Sequence, residues 1–160
     1  MEKQEKQDRL DKADPDAAYK VLVVDDEEEF GRMLALALGR EGYRTRSVSR
    51  AREALDVLRG ERFDFVISDI RMPGMDGLEL LSQIQKNSPG TTVIMTTAYG
   101  TYDVAIEAMR RGAYDYVSKP FKPDEMVLTL RKAEERERLT RENRRLRAQL
   151  REGTGLGAII

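Results

Sequence analysis

The sequence predicts an α/β fold, a parallel five-stranded sheet with helices on both faces. Three observations carry this. Five short strand-like segments alternate strictly with five helical patterns. The connections between them are short. The first segment, Val21-Leu22-Val23-Val24, is apolar at every position, as strands covered on both faces are. Right-handed crossovers then distribute the helices over the two faces.

Order is expected to begin at Lys20, and residues 1–19, with six acids and four bases, read as a charged, flexible tail. After the first strand, Glu27-Glu28-Glu29 favours a helix start, because acids suit the positive end of the helix dipole. Phe30, Met33, Leu34, Ala37 and Leu38 mark its inner face, to about Arg40. Gly42 ends it. Tyr43–Val48 alternates as an edge strand does, and Ser49 is placed to cap a helix over 50–59, with Ala54, Leu55 and Leu58 inward. Phe63–Ser68 is the third strand, ending at Asp69. Arg71–Gly77, with Pro73, Gly74 and Gly77, is a loop. Leu78, Leu81 and Ile84 continue as a helix, stopped by Pro89-Gly90. Thr92–Thr97 is the fourth strand, Tyr102–Arg111 the fourth helix, and Tyr114–Ser118 the fifth strand. A last helix starts near Pro123 and meets no breaker before Gly153.

Composition narrows the chemistry. The 160 residues include no Cys and no His. Disulfides, thiolate nucleophiles, zinc enzymes and Ser–His–Asp or Cys–His catalysis are excluded, and a bound metal has to be a hard cation on oxygen ligands. No apolar run is long enough for a membrane span, and the N-terminus has no apolar core of a signal peptide. A cytoplasmic protein that does not engage membranes is the expectation.

In open parallel sheets, function gathers at the carboxyl ends of the strands. That edge selects Asp25, Asp26, Asp69, Thr97 and Ser118-Lys119. Converging carboxylates repel one another, and a divalent cation relieves the repulsion. Mg²⁺ suits oxygen ligands and often shares its site with a phosphoryl group. Thr97 offers a hydroxyl, Ala98 leaves room for a ligand, and Lys119 brings a compact charge on a long stem. Singly, each has an ordinary reading as a cap, a turn or filler. Their weight lies in sharing one edge of one inferred sheet, where they form a site for phosphoryl chemistry.

The motifs Val-Leu-Val-Val-Asp25-Asp26-Glu, Ile-Ser-Asp69-Ile-Arg-Met-Pro-Gly-Met-Asp-Gly, Met-Thr-Thr97-Ala and Gly-Ala-Tyr-Asp-Tyr-Val-Ser-Lys119-Pro-Phe occur in that order over about residues 20–130. This span closely resembles the receiver domain of two-component response regulators. The resemblance implies a flavodoxin-like (βα)5 three-layer sandwich with strand order 2-1-3-4-5. It implies that Asp69 accepts a phosphoryl group from a phosphohistidine on a sensor histidine kinase. Mg²⁺ would be held by Asp26, Asp69 and the backbone carbonyl of Arg71, with Asp25 acting mainly through water. Lys119 would pair with phosphoryl oxygens, Thr97 would swing toward them, and Tyr116 would turn inward as Thr97 moves. The segment Ala98–Thr101, with Gly100 as a permissive backbone position, and the neighbouring helix and fifth strand would be the bistable element. Arg71 and Tyr99 flank the site and are expected to tune the lifetime of the acyl phosphate.

The net charge of −1 is a cancellation. Residues 131–151 hold nine Lys or Arg and four Glu, a local +5, and the rest of the chain is −6. Beyond Ala133 the large apolar residues are Leu139, Leu146 and Leu150. With Leu139 and Leu146 at heptad d, Asn143 and Leu150 fall at a, and a lone Asn at a fits a parallel dimer. Arg136 at the preceding a position weakens the seam. Three readings of 131–152 stand: a dimeric coiled coil extending the fifth helix, a solvated ion-paired helix, or a DNA-binding element. The last lacks aromatic interleaving and is broken by Glu, so direct nucleic-acid contact is not expected. Residues 153–160 read as the start of a connection to an absent output domain. The linker wording resembles enhancer-binding regulators of the nitrogen-regulation and dicarboxylate-transport type, in which an ATPase and a DNA-binding domain follow. No Gly-rich nucleotide loop with Lys-Ser/Thr occurs here. The chain is therefore expected to be no enzyme beyond its own phosphorylation and dephosphorylation.

Two competing functions share parts of this site. A haloacid-dehalogenase-like phosphatase uses the same Asp, Mg²⁺ and Lys, but places its two aspartates as Asp-x-Asp on one strand end; here Asp69 precedes Ile70 and Arg71. A phosphorylation-independent dimerisation module would not need all of the site positions filled.

Overall fold

The strands of the computed structural model, which describes residues 18–98 and 102–157, are β1 (Lys20–Val24), β2 (Arg44–Val48), β3 (Phe65–Asp69), β4 (Thr92–Thr97) and β5 (Asp115–Ser118). They form one sheet in the order β2-β1-β3-β4-β5, every pair parallel. The helices are α1 (Glu28–Arg40), α2 (Ala51–Gly60), α3 (Gly77–Asn87), α4 (Tyr102–Arg110) and α5 (Pro123–Gly157). The fold class and strand order expected from the sequence are those observed. Among the described residues no helix is long and apolar enough to cross a membrane.

Strand alternation divides the core in two. Val21, Val23, Phe65, Ile67 and Ile94 pack with Leu34 and Leu38 of α1 and Met126, Leu130 and Ala133 of α5. Leu22, Val24, Val66, Val93 and Met95 pack on the other face, against Ala54 of α2 and Leu80, Leu81 and Ile84 of α3. β1, β3 and β4 are buried on both sides, which is why they lack polar alternation.

Local details differ from the sequence expectation. The inner face of α1 is Gly31, Leu34, Ala35 and Leu38, while Met33 points outward at 48% exposure. Arg50, not Ser49, occupies the N-cap of α2 and makes no side-chain cap bond; the Ser49 hydroxyl donates instead to Glu53. Tyr19, placed in the tail, packs its ring on Phe65 at 5.6 Å. Helix α5 continues through Gly153 to Gly157, since an interior Gly costs a helix only about 1 kcal/mol. Its docked part passes residue 130: Ala133 is fully buried, Tyr43 donates to Glu134 at 3.1 Å, and Thr92 donates to Glu137 at 3.1 Å. The expectations for residues 1–17, for Tyr99, Gly100 and Thr101, and for 158–160 lie outside the described residues.

Candidate functional site

The site lies where β1, β3 and β5 end. β1 is apolar to Val24, and the next residue, Asp25, is 2% exposed. Its backbone N–H still follows the sheet, donating to the carbonyl of Val48 at 3.1 Å. Its Oδ1 accepts from the N–H of Glu27 at 2.9 Å, which turns the chain into α1. Asp69 closes β3 and is 9% exposed. The loop after it is reversed by Gly74 at φ +76° and closed by Asp76, whose side chain caps α3 through the N–H of Glu79 at 2.9 Å.

Gly77 fixes how near α3 comes to that strand end. Its N–H donates to the carbonyl of Ile70 at 2.7 Å. A Cβ at residue 77 would meet the Asp69 carbonyl oxygen at 2.2 Å and the Ile70 Cα at 2.7 Å. Only glycine allows this approach.

Asp25, Asp26 and Asp69 each present a carboxylate oxygen, and the three oxygens lie within 4.8 Å of one another. Asp26 is the exposed member. Lys119 reaches in from the end of β5, its Nζ 2.7 Å from Asp25 Oδ2 and 3.2 Å from Asp69 Oδ2. The same ammonium stands 4.5 Å over the ring of Phe30, which meets Phe121 edge-on at 5.5 Å. This aromatic wall escaped the sequence reading, which placed Phe30 only in the core face of α1; its signal was the Lys-Pro-Phe wording with an aromatic early in the first helix.

Burial pushes the Asp69 carboxyl above its usual range, with the neighbouring charge of Asp25 acting in the same direction; Lys119 and the backbone N–H of Arg71 pull against them and lose. For Lys119, burial acts to lower the ammonium's value, but the hydrogen bond to Asp25 and the charges of Asp69 and Asp25 outweigh it and raise it. A hard divalent cation fits this donor set. Its three side chains offer oxygens only and crowd like charge together, and the partly buried Lys119 amine beside them competes as a cation.

The remaining predicted positions are spread around this centre. Thr97 is buried, and its hydroxyl donates to Ser118 Oγ at 3.4 Å. Ala98 is exposed beside it. Arg71 is exposed, and its backbone N–H bonds the Asp69 carboxylate. Tyr116 is half-buried on the α2/α3 face of the sheet, its ring 6.3 Å from that of Tyr102 and nearly perpendicular to it. A hydrogen bond with Tyr102 raises its phenol above the usual range. Far from the site, Leu139, Leu146 and Leu150 are 60%, 50% and 67% exposed, and Asn143 is exposed between them. Helix α5 there carries its own ion pairs, Arg138–Glu135 and Arg141–Glu137, each at 3.9 Å.

Known proteins share this sequence pattern and this fold. Residues 21–131 match the model of the response regulator receiver domain family. The chain is 41% identical over 131 residues to the C4-dicarboxylate transport transcriptional regulatory protein DctD of Rhizobium meliloti, covering 82% of this chain and 28% of that protein. It thus spans less than a third of the length of that relative. The crystal structure of the receiver domain of NtrX from Brucella abortus is similar at TM-score 0.68 and 39% identity, over 71% of this chain and 96% of that one. A response regulator receiver domain protein from Clostridium thermocellum is similar at TM-score 0.72 and 31% identity, over 76% and 98%.

Proposed function

The chain belongs to the response regulator receiver domain family of two-component systems, and from that membership we propose that Asp69 is its phospho-acceptor and the centre of a switch. The observation that carries this is the three-carboxylate cluster closed by Lys119 at the carboxyl edge of the sheet. An Asp69 oxygen attacks the phosphorus of a phosphohistidine on a sensor histidine kinase. The new P–O bond forms as the P–N bond breaks, and its electron pair returns to the imidazole. The histidine comes from the partner, which agrees with a chain that contains none.

Asp26, Asp69 and the Arg71 carbonyl would hold Mg²⁺, with Asp25 reaching it mainly through water; the ion supplies neutralisation of the charge that gathers on the phosphoryl oxygens. Lys119 leaves Asp69 for those oxygens. Thr97 exchanges Ser118 for a phosphoryl oxygen, beside the small Ala98, and Tyr116 moves from Tyr102 into the space Thr97 vacates. The face of α4 and β5 thereby reports the event.

The span 20–130 acts as the switch, and 131–152 as a helical linker that pairs two copies in parallel through Leu139, Asn143, Leu146 and Leu150. The homodimer arrangement controls ATPase and DNA-binding parts of a longer, cytoplasmic regulator. The relatives' greater length supports this. The family match gives no support to a haloacid-dehalogenase-like phosphatase or to a phosphorylation-independent module. Incubation with acetyl phosphate and Mg²⁺ is expected to add one phosphoryl mass to the chain and none to Asp69→Asn. Addition to the variant as well would overturn the assignment.

A further inference from the structure

Threonine hydroxyls recur along β4 and the residue before it, and three of them are engaged. Thr91 donates to the carbonyl of Phe63 at 2.9 Å, Thr92 to Glu137 at 3.1 Å, and Thr97 to Ser118 at 3.4 Å. Thr96 differs. It is 1% exposed, and its Oγ1 is a fully buried side-chain polar atom with no hydrogen-bond partner. Among the described residues it is the one such atom. A buried hydroxyl left unsatisfied costs stability, so its retention points to a state in which it is satisfied.

The sheet register shows where that state lies. Thr96 pairs with Asp69 on β3 and with Val117 on β5. Register partners in a parallel ladder share a face, and adjacent strands run about 4.8 Å apart. Phe65, Ile67 and Ile94 pack on the α1/α5 side of the sheet, and Asp69 and Thr96, each two residues beyond one of them on its strand, share that side. Thr97 belongs to the opposite side. The orphan hydroxyl therefore stands beside the carboxyl that the site is built around.

At rest Asp69 draws its donors from Lys119 and the Arg71 N–H. A phosphoryl group on one Asp69 oxygen diverts Lys119 to the phosphoryl oxygens. The other oxygen stays an acyl carbonyl, with lone-pair capacity for a donor as well as a metal ion. Resting on the acyl-phosphate reading above, we infer that Thr96 is a positioning residue for the esterified state of Asp69. Its hydroxyl has no partner at rest and donates to the Asp69 carbonyl oxygen once the phosphoryl group is attached. Because the bond exists in one state only, it biases the equilibrium toward that state.

The test compares the parent chain with Thr96→Val, which removes the hydroxyl at nearly constant shape, and with Thr96→Ser, which keeps it. Beryllofluoride with Mg²⁺ stands in for the phosphoryl group and is titrated by calorimetry. Thermal unfolding is followed separately without Mg²⁺. Thr96→Val is expected to bind beryllofluoride about two- to tenfold more weakly, the worth of one neutral hydrogen bond. It should also unfold at or above the parent's midpoint, and Thr96→Ser should keep the parent's affinity. Equal affinity of Thr96→Val and parent would overturn the inference. So would a lower midpoint for Thr96→Val, which would reveal a partner at rest. A parent that binds no beryllofluoride would instead sink the acyl-phosphate reading, and this inference with it.

Discussion

Lys119 Nζ sits 2.7 Å from Asp25 Oδ2, closer than to Asp69 Oδ2 at 3.2 Å. The lysine is held more closely by the buried Asp25 than by Asp69, the proposed phospho-acceptor. A divalent cation held by these carboxylates would compete with Lys119 for them. Lys119→Met is expected to lose about 3 kcal/mol or more of stability without Mg²⁺, because it leaves buried charge uncompensated. Mg²⁺ should recover more stability in this variant than in the parent. Thermal denaturation with and without the ion checks both.

Asp69 gives a pH dependence with a defined sign. Its folded-state value lies above its unfolded one, because burial outweighs Lys119. Its ionisation therefore costs stability above the raised value, and the cost disappears as pH falls below the ordinary carboxylate value. Asp69→Asn should unfold at a higher temperature than the parent at neutral pH without Mg²⁺. The gap should close on acidification. An unchanged gap across that range would contradict the account.

Gly77 is the position where a single methyl group should do the most damage near the site. The Asp69 carbonyl, the Ile70 Cα and the Met95 Cε all lie within 3 Å of where a Cβ would go. Gly77→Ala is expected to lose roughly 1–3 kcal/mol or more, and to slow phosphorylation by displacing the end of β3. Chemical denaturation and acetyl phosphate labelling read the two effects.

The clasp between Tyr43 and Glu134 holds α5 where it leaves the sheet, with Arg131 stacked 5.0 Å over the Tyr43 ring and also 3.3 Å from Glu134. Tyr43→Phe keeps the stacking and removes the donor. It should cost about 1 kcal/mol, and it should raise amide exchange along 131–140 more than along β1.

If the exposed leucines of α5 form a parallel seam, Leu146→Asp should abolish self-association seen in sedimentation without changing the unfolding of the receiver portion. Truncation before Ala133 would remove part of the receiver core, since Ala133 is fully buried. Truncation after Glu137 is the cleaner test of the linker.

Sequence alone exposed what depends on local pattern. Asp25 and Lys119 each follow a strand and Asp69 ends one, so topology brings them to one edge. Properties set by distant pairing stayed hidden. Tyr43 and Glu134 lie 91 residues apart. Met33 fits a helical inner face by spacing, yet α1 turns Gly31 and Ala35 inward instead. Thr96 and Thr97 are indistinguishable as letters; the sheet register decides that one faces Asp69 and the other Ser118.

The central claim is that Asp69 carries the phosphoryl group. Borohydride reduces an acyl phosphate to the alcohol, so phosphorylated chain treated with it should yield a peptide with homoserine at residue 69. Reduction mapped to Asp25 or Asp26, or a chain that remains unlabelled with Mg²⁺ and acetyl phosphate, would contradict the account.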